Sequence, residues 1–263
     1  MKSKNMIMVI FLFIALALLM GCATQKAVTT TTAVDLNSKV ESGQFVQKVN
    51  AFDVIIDSTL SMNEAYKGST KFNQERVLVN LMNETIPTMK LKVGARQFGE
   101  FRSFGDATSV PIFGLKDYDK SALRQAIAPS PIGMGNSPLD AALDGATVDL
   151  QSQSGQLAVI AFSDGEDMEK YAAVAAAQRM KNAYGDRVCI YTVHLGDNDV
   201  GRKLMQDVAN AGGCGFMVKG DNIASPEGMA VFVEKIFLKT YVAEKSREVI
   251  KAEEPRPEVR LEM

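Results

Sequence analysis

The chain holds a single histidine, His194, and its cysteines are confined to Cys22, Cys189 and Cys214. Chemistry that needs several imidazoles is therefore not expected, nor is a small scaffold stapled by many disulfides, since 263 residues can bury a core without one. Positive charge is also in short supply. The 29 Lys+Arg face 31 Asp+Glu, for a formal net charge of −2, and no basic cluster is large enough to track a phosphate backbone. No nucleic-acid partner is expected. Arg96, Arg102 and Lys116 are dispersed, and Phe98, Phe101 and Phe104 read as cover for a strand and its turn. Gly133 and Gly135 lack the Gly-Lys-Ser/Thr ending of a phosphate loop, so no nucleotide is expected either. The rest is ordinary globular composition, 46% hydrophobic.

At the N-terminus, Lys2 and Lys4 precede an unbroken apolar run, Met6 to Met20. These 15 residues fall short of the roughly 20 that span a bilayer as a helix, and they match the apolar core of an export signal. Leu19-Met20-Gly21-Cys22 then resembles the bacterial lipobox. That resemblance implies a lipoprotein signal peptide over 1–21, a lipid (palmitate-bearing) anchor in the membrane at Cys22, and a mature chain outside the cytoplasm. The alternative is an uncleaved anchor with a chance cysteine. Ala23, where Asp would imply inner-membrane retention, favours the periplasmic side of the outer membrane. Residues 22–50 carry a threonine run and little apolar periodicity, and read as a tether with a short helical turn near its end. Residues 242–263, charged and containing Pro255 and Pro257, read as a tail.

Between these lies one domain, 51–241. Strand-like apolar runs at 52–57, 91–98, 157–163, 188–194 and 215–218 alternate with helical patterns at 73–86, 118–128, 138–149, 167–183, 201–211 and 226–242. Near-continuous apolar strands imply burial on both faces, and the alternation implies an α/β fold with a mostly parallel central sheet and helices on both sides. In such sheets ligands bind at the carboxyl ends of the strands.

Those ends are rich in oxygen donors. The first strand runs into Asp57-Ser58-Thr59-Leu60-Ser61, and the strand at 157–163 runs into Asp164-Gly165-Glu166-Asp167. Between them, the glycine-rich loop 131–136 leads to Ser137 and Pro138 before a helix. Two carboxylates and three hydroxyls would make a partial oxygen shell for a hard divalent cation. Taken singly, each piece also reads as an ordinary helix cap.

In order and spacing, the three pieces resemble the von Willebrand factor A (vWA) family and its metal-ion-dependent adhesion site (MIDAS). The pattern is Asp-x-Ser-x-Ser, then a Thr after a glycine-rich loop, then Asp-Gly. Asp57, Ser61 and Asp164 match it, whereas Thr59 and Ser137 replace one hydroxyl by another and Leu60 stands where Gly is frequent. The resemblance, over roughly 51–241, implies a Rossmann-like vWA fold. It also implies that Asp57, Thr59, Ser61, Ser137 and Asp164 hold Mg²⁺ (or Mn²⁺ or Ca²⁺) directly or through water. The open position would take a carboxylate from a protein partner, with no enzymatic step. The second reading is a structural or assembly lipoprotein of the envelope whose domain works without metal. No Ser-His-Asp spacing is present, and His194, near a strand end, reads as structural. In the family's sheet order the strands near Cys189 and Cys214 are neighbours, so a disulfide between them is open. The other reading is two buried thiols.

Overall fold

A computed structural model describes residues 32–99, 109–129, 133, 137–167 and 170–241. The expected signal peptide 1–21, Cys22, residues 130–132 and 134–136 in and beside the glycine-rich loop, and the expected tail 242–263 lie outside the described residues. In chain order the elements are α1 (Asn37–Glu41), β1 (Phe45–Gln47), β2 (Ala51–Asp57), β3 (Ala65–Tyr66), β4 (Ser69–Thr70), α2 (Lys71–Thr85), β5 (Lys92–Phe98) and β6 (Ser109–Asp117). They continue with α3 (Lys120–Ile127), α4 (Leu139–Asp149), β7 (Leu157–Ser163), α5 (Lys170–Tyr184), β8 (Val188–His194), α6 (Asp199–Ala211), β9 (Met217–Lys219), α7 (Pro226–Phe237) and β10 (Leu238–Thr240).

Six strands form the central sheet in the order β6-β5-β2-β7-β8-β9, parallel except for β6, which runs antiparallel to β5. Every residue of β2, β7 and β8 is buried, as their apolar runs require of strands covered on both faces. Alternation along β2 divides the core. Phe52, Val54 and Ile56 face a layer shared with α2, α3 and α7, whereas Ala51 and Ile55 face the layer of α4, α5 and α6. The helices start at side-chain caps: Thr70 for α2, Asp119 for α3, Asn198 for α6, and Ser225 followed by Pro226 for α7.

Three local expectations are corrected. Residues 32–50, read as part of a tether, are folded: Leu36 and Val49 are buried in the core, and β1 pairs antiparallel with β10. The helix expected over 226–242 ends at Phe237 because the chain turns there into β10. Strand β6, which the expected strand pattern leaves out, closes one sheet edge. Its alternate exposure and Pro111 suit an edge strand and mask it in the sequence. Cys189 and Cys214 are joined in a disulfide with Cα atoms 4.9 Å apart, tying β8 to the segment that precedes β9.

Candidate functional site at the carboxyl ends of the strands

Parallel pairing brings the ends of β2, β5, β7 and β8 to one rim: Asp57 lies level with Phe98, and Ser163 with His194. Asp57, fully buried, ends β2. Its Oδ1 accepts from the Thr59 backbone N–H (2.9 Å) and the Thr59 hydroxyl (2.6 Å), while Oδ2 accepts from the Ser163 hydroxyl (2.6 Å). Thr59 Oγ1 lies 3.1 Å from Ser61 Oγ. The turn is this tight because Gly99, at φ +87°, lies against Thr59, where a Cβ would stand 2.5 Å from Cγ2. Burial first, and then the charge of Asp164, raise the Asp57 carboxyl to about 7, against the hydrogen bonds from Ser163 and Thr59. Behind it, the Asp57 N–H donates to Glu75 Oε1 (2.9 Å). Burial and the neighbouring Asp57 charge push Glu75 well above the usual carboxylate range.

Asp164 follows β7, also fully buried. Its Oδ1 accepts from the Glu166 N–H (3.0 Å), and its Oδ2 accepts from Lys71 Nζ (2.9 Å). The same ammonium donates to Glu64 Oε2 (2.7 Å) and Glu166 Oε1 (2.9 Å). Lys71 is only 5% exposed. Burial pulls its pKa down, but hydrogen bonds to Glu64, Glu166 and Asp164 outweigh that and leave it raised. The start of α6 comes so near that a Cβ on Gly201 would lie 2.0 Å from the Asp164 carbonyl oxygen.

The structure thus brings Asp57, Thr59 and Ser61 into one hydrogen-bonded chain, with Asp164 close enough for its charge to act on Asp57. Ser137 is buried, and its hydroxyl makes no hydrogen bond. Its loop is tied in by Gly133, whose N–H donates to the Ser58 carbonyl (2.5 Å). The hydroxyl half of this set fits a small divalent ion. Two ligands on adjacent corners of an octahedron with bonds of about 2.1 Å stand about 3.0 Å apart, close to the Thr59–Ser61 spacing. The carboxylate half does not fit. Asp164 already carries an ammonium, and both oxygens of Asp57 are engaged. With Lys71 in place the set does not fit a resident divalent ion, and among the described residues no three His, Cys, Asp or Glu side chains gather into a ligand cluster.

Sequence reasoning missed Lys71, Glu64, Glu75 and the role of Ser163. One signal was present: a lysine opens α2 directly after its Thr70 cap, where the positive end of a helix disfavours a cation unless acidic groups offset it. Nothing local says which acids do so, because Asp164 and Glu166 lie more than 90 residues away. His194 is buried, and that burial lowers its pKa against the charge of Asp164. Ser163 donates to the Asp57 carboxylate and not to His194, so no serine–histidine pair is set up among these side chains.

No protein-family model and no curated protein matches the chain. Solved structures do match. The SpRpn10 VWA domain aligns at 17% identity over 71% of this chain and 95% of that one, with a TM-score of 0.51. The von Willebrand factor type A protein from Catenulispora acidiphila aligns at 15% identity with a TM-score of 0.54, covering 73% of this chain but only 45% of that one. Manganese-loaded Plasmodium vivax TRAP protein aligns at 15% identity over 74% and 76%, with a TM-score of 0.53. The α/β architecture, with its parallel sheet core and helices on both faces, is the Rossmann-like vWA fold.

Proposed function

We propose that this chain is an envelope lipoprotein whose vWA domain binds a protein partner through the rim at the strand ends, without requiring a metal ion. The observation that carries the metal-free part is Lys71: its ammonium pairs with Glu64, Asp164 and Glu166 and so supplies a positive charge to the acidic centre of the rim from within the chain. Around that centre the rim offers apolar contact area, because Leu60 in the β2 loop is 55% exposed. Tyr171 and Val200, on the first turns of α5 and α6, are exposed as well. Exposed large side chains gathered at one end of a domain suit protein contact. By its signal and lipobox the domain would be anchored through Cys22 on the periplasmic side of the outer membrane, with a binding role and no catalytic one.

A second reading, in which Mg²⁺ bridges the rim to a partner carboxylate, is favoured by the Thr59–Ser61 spacing and the unpartnered Ser137 hydroxyl. It requires Lys71 to leave Asp164. Photo-crosslinkers placed in living cells at Leu60 and Val200, with exposed Val148 near the end of α4 as control, separate the two. Adducts from the rim positions alone that persist under chelation support the metal-free reading. Adducts that vanish with chelator and return with Mg²⁺ support the bridge, and equal labelling from Val148 refutes the rim as the contact face.

A further inference from the structure

Lys71 stands in an unfavourable place. It opens α2, where unpaired backbone N–H groups and the helix dipole both repel an ammonium, and it is almost completely buried. Such a group is retained only with compensation, and three carboxylates from two segments supply it. Glu64 follows the β2 loop, while Asp164 and Glu166 follow β7. An ammonium has three N–H donors, and here each has a carboxylate, so Lys71 has none left for an incoming acidic group. Its role is inward. On the other side, Thr59 and Ser61 hold a spacing that suits ion ligation, and the Ser137 hydroxyl is buried without a partner. Thr59 and Ser61 thus stand at a spacing suited to a cation shell, while Asp164, whose charge acts on Asp57, is held by a lysine.

From this we infer that Lys71 is the resident cation of the site and the group that excludes divalent metal, so that removing its charge converts the rim into a metal-binding site. The inference rests on the metal-free reading above but does not depend on any partner. If Lys71 excludes the ion by charge, a neutral side chain of similar length leaves Asp164, Glu64 and Glu166 without their cation at the rim that carries Asp57, Thr59 and Ser61. A divalent ion is then the charge that fits.

The test is calorimetric titration of Mn²⁺ and Mg²⁺ into the full chain in detergent, for the wild type, Lys71→Met, Lys71→Arg and Lys71→Met/Asp164→Asn, with thermal melts in the same ions. Lys71→Met is expected to bind one ion at least about tenfold more tightly than the wild type, and to melt higher in Mn²⁺. Lys71→Arg should behave as the wild type, and the added Asp164→Asn should abolish the gain. If Lys71→Met is recovered unfolded, Lys71→Gln takes its place, and the same gain in affinity and melting temperature is required of it. Neutral variants that stay folded and bind no more tightly than the wild type overturn the inference while leaving metal-free partner binding intact. Lys71→Arg binding as tightly as Lys71→Met overturns it too, since charge would then not be what excludes the ion. Stoichiometric binding by the wild type, lost in Asp57→Ala, overturns both the inference and the metal-free reading.

Discussion

Asp53 lies in the middle of β2, fully buried. Burial first, and then the charge of Asp149, hold its pKa well above the usual value, against the opposing pull of Arg96. The guanidinium of Arg96 is spent elsewhere, on Asp149 (2.6 and 3.0 Å) and Ser109 (2.8 Å). The folded carboxyl therefore keeps its proton to a higher pH than the unfolded one does. Its contribution to stability is fully present below about pH 4 and is lost as pH rises toward the raised folded value. Asp53→Asn, neutral throughout, is expected to flatten that decline and to be more stable than the wild type by about 1–3 kcal/mol near neutrality. Urea melts at about pH 5 and about pH 8 check the sign, because the advantage of the variant must grow with pH. A hydrophobic periodicity count treats Asp53 as an interruption in an apolar strand. Nothing in the sequence says that Asp149, at the end of α4, will share its surroundings.

Among the elements, the runs buried on both faces were legible because they need no partner to be recognised. β2, β7 and β8 are mostly apolar and buried throughout, and the structure places them at 51–57, 157–163 and 188–194. The short pair β1–β10 was not legible. Three residues carry no periodicity, and Phe45 meets Thr240 from almost the far end of the domain. The same pairing folds 32–50 onto the core, where Leu36 is fully buried. Leu36→Ala should cost about 2–5 kcal/mol in a denaturant melt, whereas a true tether would show no change. The Cys189–Cys214 bridge closes a loop of 25 residues. Under the chain-entropy account its reduction should cost on the order of 3 kcal/mol. Melts with and without reductant check this, and Cys214→Ser should match the reduced wild type.

At the scale of the whole molecule, no helix among the described residues is long and apolar enough to cross a membrane. Under the proposed reading, attachment is through lipid at Cys22. Cys22→Ser is expected to stop palmitate labelling and to leave the protein in the unprocessed form, read by gel mobility and fractionation. A variant still labelled would refute the lipid anchor.

Composition and strand periodicity were enough to determine the α/β class and the mostly parallel sheet, and the order Asp57, Thr59, Ser61, Ser137, Asp164 directed attention to the carboxyl ends of its strands. Burial on both faces and the placement of loops at strand ends follow from local pattern and right-handed connection alone. Only the tertiary structure decided what that site holds. Lys71 meets Glu64, Asp164 and Glu166 across separations of 7, 93 and 95 residues. The charge in a buried site is set by which side chains converge in space, and local sequence pattern does not encode that convergence.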